Sequence, residues 1–180
     1  MLRANPKGPP REPDAIHHPH NPMKLKILVG TMTGTAEFVA QAIELDCAEL
    51  ADPIEVTRMD ALDGSVFDED ALFLICTSTY GSGDVPDNAQ ALYASLDAQP
   101  RFLGHVRYGV IALGDSAYPQ TFCNGGKRFD ERLSDLGAKR IGDVFCHDAS
   151  AGTVPEDEGV AWCRAWLASA ASLFPRENHA

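Results

Sequence analysis

Apolar positions along this chain switch repeatedly between a continuous or two-residue period and a period of three to four. K-L-K-I-L-V-G-T, residues 24–31, reads as a strand. Residues 35–50 follow with Val39, Ile43, Cys47 and Leu50 at helical spacing. I-E-V-T-R-M, residues 54–59, alternates as a short strand. A-L-F-L-I-C-T, residues 71–77, is an unbroken apolar run between turn signals, the pattern of a strand buried on both faces. Residues 88–96 predict a helix with Ala89, Leu92, Tyr93 and Leu96 on one side. Y-G-V-I-A-L-G-D, residues 108–115, is a second buried strand. Residues 125–137 predict a helix that turns Phe129, Leu133 and Leu136 inward and stops at Gly137. Residues 139–147 read as a strand, and residues 155–174 as a closing helix. Pro155 and three acids suit that helix's N-terminus, and Val160, Cys163, Trp166, Leu167 and Leu173 face the sheet.

Five strands among helices predict an α/β protein: a parallel, doubly wound sheet with helices on both faces. In such sheets ligands bind outside the carboxyl ends of the strands, near the point where the winding reverses. The loops after strands one, three and four are therefore the candidate site. With 180 residues, 44% of them hydrophobic, the chain supports one core, assigned to residues 23–180. Residues 1–22 carry six prolines and no apolar stretch, and read as a disordered or extended leader. Their H-H-P-H cluster could hold a metal loosely, but a flexible tail explains it more simply.

Charge narrows the partners. The net charge is −11, which repels nucleic acid and attracts a basic protein, although acidity also serves solubility alone. Five cysteines without a C-x-x-C pair suggest neither a disulfide framework nor a metal site, and fit a reducing, cytoplasmic setting. No segment approaches the roughly 18 consecutive apolar residues of a membrane span.

The three loops carry the chemistry. Loop one, Thr31-Met32-Thr33-Gly34-Thr35-Ala36, sits between strand and helix. Its hydroxyls and the helix N-terminus can hold a phosphate without Lys or Arg, though a plain N-cap at Thr33 or Thr35 also accounts for it. It is neither a Walker A loop nor a G-x-G-x-x-G fingerprint. Loop two, Ser78-Thr79-Tyr80-Gly81-Ser82-Gly83, ends a buried strand in an aromatic flanked by glycine. The tyrosine suits stacking on a planar ring; a surface turn with an incidental tyrosine is the alternative. Loop three, Leu113-Gly114-Asp115-Ser116-Ala117-Tyr118 to Phe122 and Cys123, repeats the device, and Asp115 could equally cap the following turn.

T-M-T-G-T-A-E, S-T-Y-G-S-G-D-V-P-D-N-A and L-G-D-S-A-Y-P-Q-T-F-C-N-G-G together resemble a flavodoxin-like FMN-binding protein. The likeness is to small MioC-type flavodoxins and to the FMN domains of diflavin reductases, and covers residues 24–173. It implies a flavodoxin-like five-stranded parallel sheet in the order 2-1-3-4-5, of the short-chain type. It implies that Thr31 to Ala36 cradle the FMN phosphate. Ser78 to Gly83 border the ring, with Tyr80 and Tyr118 flanking it, and Leu113 to Cys123 line its pyrimidine side. Gly81 lies beside flavin N5, where a peptide flip accepts the N5–H of the one-electron-reduced ring. One departure is that Pro119, Gln120 and Thr121 separate Tyr118 from Phe122, where most members have two residues.

The implied function is electron transfer: a monomeric carrier between a basic flavodoxin reductase and a basic electron-accepting enzyme. No catalytic residue and no metal ligand is assigned, because no acid–base constellation surrounds a substrate pocket. The rival is an FMN-dependent NAD(P)H or quinone oxidoreductase on the same fold. A phospho-receiver is disfavoured, since strands one and three end in Thr31 and in Ser78-Thr79, not in acids.

Overall fold

The structure is a computed structural model that describes residues 23–173. The leader assigned to residues 1–22 and the last predicted helical residue, Phe174, lie outside the described residues. The strands are β1 (Leu25–Gly30), β2 (Ile54–Arg58), β3 (Leu72–Thr77), β4 (Arg107–Gly114), β5 (Lys139–Arg140) and β6 (Phe145–Asp148). The helices are α1 (Thr35–Asp46), α2 (Gln90–Ala98), α3 (Asn124–Asp135) and α4 (Pro155–Leu173). All strand pairs are parallel, in the order β2-β1-β3-β4-β5, with β6 also paired to β4.

The central strands are buried along their whole length because each face has its own core. Ile27, Val29, Leu74, Cys76 and Ile111 pack with α1 and α4 on one face. Leu28, Phe73, Ile75, Val110 and Ala112 pack with α2 and α3 on the other. Alternate side chains point to opposite faces, so a strand between two helical layers must be apolar throughout. That explains the unbroken runs in the sequence.

Three sequence expectations need correction. The predicted strand 139–147 is two short strands, β5 and β6. The Ile141 carbonyl accepts the indole N–H of Trp166 at 2.9 Å, which anchors this segment to α4 between the two ladders. The first helix ends at Asp46, and Leu50 is left exposed. Here Cys47 leaves helical geometry, and the Leu50 and Ala51 amides fold back onto its carbonyl in a turn ahead of Pro53. Leu173, expected against the sheet, is exposed at the end of α4.

Candidate functional site

The carboxyl ends of β1, β3, β4 and β6 open into one groove of about 500 Å³, within the size range of small-molecule sites. Eight of the expected residues line it: Thr35, Ser78, Thr79, Gly81, Leu113, Gly114, Asp115 and Tyr118. No Lys or Arg is among the described lining residues. A bound anion therefore depends on backbone amides, hydroxyls and helix dipoles.

Loop one supplies such a place. Gly34 occupies the N-cap of α1 at φ 95°, a left-handed conformation that side chains disfavour, and no side chain caps the helix. The alternative reading, a cap at Thr33 or Thr35, is thus not met, and the Thr35 and Ala36 amides stay available. Thr31 is buried, and its Oγ1 accepts the Gly34 N–H at 2.8 Å, which shapes the loop. Its own N–H donates to Asn88 Oδ1 at 2.9 Å. Thr33 is exposed and Thr35 half-buried. Ala36 is buried in the core below, and Met32 lies outside, its sulfur accepting the Asp87 N–H.

Loop two is a tight turn closed at its base. Tyr80 and Asp84 exchange backbone hydrogen bonds at 2.8 and 2.9 Å. Asn124 Nδ2 donates to the Gly83 carbonyl at 2.8 Å, and Arg128 pairs with Asp84. Gly81 and Ser82 form the exposed tip. Gly81 has φ 51°, and a Cβ built there meets nothing within 4 Å. The Thr79 hydroxyl donates to the Leu113 carbonyl at 3.0 Å and accepts the Gly125 N–H at 3.1 Å. It ties loop two to β4 and to α3, so its polar capacity is taken by the protein.

Loop three folds back through successive turns, with Tyr118 N–H on the Asp115 carbonyl and Thr121 N–H on the Tyr118 carbonyl. The extra residue between Tyr118 and Phe122 falls inside these turns. Tyr118 lines the groove with 67% of its surface exposed. Tyr80 is 46% exposed at the loop-two bridge and is not part of the groove wall. Ser116 and Ala117 are exposed; Cys123 is buried in the α3-side core with Phe122 against it, beneath the groove instead of on its wall.

The segment after β6 was missed in the sequence, although it too ends at the carboxyl edge of the sheet. His147, Ala149, Thr153 and Pro155, with Thr121 of loop three, complete the groove wall. His147 is almost wholly buried, its Nε2 lying 3.4 Å from Thr153 Oγ1 and 3.5 Å from Glu158 Oε2. Asp148 Oδ1 accepts the Ser116 and Ser150 amides at 2.9 Å, and Asp115 Oδ1 accepts the Ser150 hydroxyl and the Ala117 amide. This latch binds loop three to the β6–α4 segment. The Ser116 side chain, followed by the two amides, holds the Asp148 carboxyl below its ordinary value. A smaller hollow lined by Lys26, Asp63 and Glu69 lies away from these strand ends and is crossed by the Lys26–Glu69 ion pair.

An uncapped helix N-terminus, two glycine-bearing turns and an open tyrosine surround one groove at the carboxyl edge of a doubly wound sheet. The Flavodoxin family profile matches residues 27–162. Flavodoxin YqcA of Pectobacterium carotovorum is 39% identical over 143 residues, covering 79% of this chain and 94% of that protein. The sulfite reductase [NADPH] flavoprotein alpha-component of Vibrio parahaemolyticus is 42% identical over 119 residues, 64% of this chain and 18% of that protein. A solved cysteine-to-alanine mutant of flavodoxin from Pseudomonas aeruginosa superposes with a TM-score of 0.69 at 34% identity, covering 82% of this chain and 98% of that one. The chain belongs to the flavodoxin family, small electron-transfer proteins that bind FMN. Among the described residues no helix is long and apolar enough to cross a membrane, and no cluster of three or more His, Cys, Asp or Glu is placed to hold a metal.

Proposed function

We propose that the groove holds FMN with its phosphate on the N-terminus of α1 and its ring between loops two and three. The observation that carries this is the uncapped start of α1, opening into a groove without a cationic wall. The Thr35 and Ala36 amides and the Thr33 and Thr35 hydroxyls offer donors for a dianion. Tyr118 presents an open aromatic face, and Tyr80 stands at the rim beside Gly81. FMN, when bound, supplies one- and two-electron redox chemistry. The chain orients the ring, keeps it partly from water, and offers the Gly81 peptide to ring position N5. The acidic surface disfavours further negative charge in the groove, which suits a low-potential donor.

The net charge of −11 supports docking to basic redox partners, a reductase on one side and an acceptor enzyme on the other. Five free thiols support a reducing, cytoplasmic setting. The rival oxidoreductase reading needs an acid–base group aimed at a substrate. Asp115, the one carboxylate among the described lining residues, instead accepts two bonds within the latch. Acid extraction of the purified, FMN-incubated protein followed by chromatography is expected to return FMN. Recovery of FAD, or of no flavin, overturns the assignment. The carrier role predicts no sustained NAD(P)H oxidation by the protein alone, and salt-sensitive reduction when a basic reductase is added. Steady turnover without a reductase would establish the rival.

A further inference from the structure

We propose that Cys123 and Cys146 form a redox-active dithiol beneath loop three, which a small peroxide oxidises to a disulfide. The two come from distant stretches, the N-cap of α3 and the edge strand β6, and the fold places them together. Cys146 is the register partner of Ala112 on β4, so both side chains leave the sheet on the same face. That face is the α3-side core, which contains Ala112 and Cys123 and has Cys146 packed against it. Cys123 Sγ donates to the Ala112 carbonyl at 3.3 Å and lies 3.8 Å from the His147 carbonyl. One of those carbonyls is opposite Cys146 and the other belongs to its neighbour, which sets Cys123 beside Cys146.

Their environments divide the work. Cys123 is wholly buried, whereas Cys146 is only partly buried and is the sulfur a small oxidant reaches. The neighbouring Cys123 lowers the Cys146 thiol to about 7, and Lys127 adds to the effect against the opposing pull of burial. The Cys123 thiol is raised, by the neighbouring Cys146 first and by burial second. Cys146 thus has the thiolate character of an attacking sulfur and Cys123 the place of a resolving one.

The steps balance. Cys146 thiolate attacks one oxygen of hydrogen peroxide, forming the sulfenic acid and releasing hydroxide. Cys123, giving up its proton, attacks the sulfenic sulfur; the S–S bond forms and water leaves. Two electrons pass from the dithiol to the peroxide, and a small-thiol reductant of the glutathione class reverses the change by exchange. The disulfide ties the N-cap of α3 to β6, across the base of loop three. Cys47 and Cys163 provide an internal contrast. They share the core between α1 and α4, but both are wholly buried. Contact without access leaves that pair reduced.

The test uses the full-length, FMN-loaded protein treated with hydrogen peroxide, then alkylated under denaturing conditions. Two of the five thiols are expected to disappear and to return with dithiothreitol. Non-reducing digestion with trypsin and a Glu-specific protease separates Cys146 from Cys163 by cleavage after Glu156 and Glu158, and yields a peptide joining Cys123 to Cys146. The Cys146→Ser variant loses that peptide and leaves Cys123 alkylatable. A double Cys47→Ser, Cys163→Ser variant retains it. Oxidation of Cys47 and Cys163 first, or a Cys146 that proceeds to sulfinic acid with Cys123 still free, overturns the proposal. The wild-type peptide map decides the question even if a variant fails to fold.

Discussion

Thr79→Val keeps the shape of the side chain and removes its hydroxyl. That hydroxyl joins three elements, donating to Leu113 on β4 and accepting from Gly125 on α3. Two net hydrogen bonds are together worth about 1–3 kcal/mol. The loss is pushed to about 2–4 kcal/mol because neither partner finds a replacement: Gly125 and Leu113 are buried. The start of α3 also lies hard against loop two, since a Cβ built on Gly125 would stand 2.4 Å from the Ser78 carbonyl oxygen. Thr79→Ser is the control; it keeps both bonds and loses one half-buried methyl, at most about 0.8 kcal/mol. Urea unfolding of the flavin-free protein should therefore separate the variants by about 2 kcal/mol. Flavin fluorescence titration should show weaker FMN binding for Val than for Ser, because both loops beside the ring lose their common strut. Equal stabilities of Val and Ser would show that the hydroxyl does not hold the loops together.

Three further outcomes follow from the same groove. Thr33→Ala with Thr35→Ala should weaken FMN binding by about 1–3 kcal/mol without lowering stability, since neither threonine caps α1; an unchanged dissociation constant refutes the phosphate cradle. Gly81→Ala meets no steric obstacle, so its cost is the backbone's alone, about 1–2 kcal/mol at positive φ. It should lower the potential of the first electron while FMN still binds, and unchanged potentials in a titration would make Gly81 an ordinary turn residue. Asp148 sits below its ordinary value of 3.8, so its latch is intact above that value and is lost as pH falls through the lower folded-state value. FMN release followed from about pH 5 to about pH 2 should be steeper for the wild type than for Asp148→Asn, and identical curves would remove Asp148 from the latch.

Much of this architecture was legible in the chain itself. The runs at residues 71–76 and 108–114 hold no charged residue at any position, and only a strand covered on both faces asks for that. Once those strands were parallel and their order followed, the loops after β1, β3 and β4 had to meet at one edge. Eight of the twenty expected residues line the groove for that reason. Other features were decided by tertiary contacts that no local pattern records. The last predicted strand was cut in two because Trp166, 25 residues away, takes the Ile141 carbonyl. The β6–α4 wall, with His147 and Thr153, and the latch from Asp148 join segments some 30 residues apart. Thr79 is expected from the sequence to border the ring, yet its hydroxyl belongs to Leu113 and Gly125. Periodicity reports which face of an element is buried. It carries no information on which distant carbonyl a hydroxyl or an indole will meet, or that Cys123 and Cys146 come to share one core; only the folded packing sets those distances.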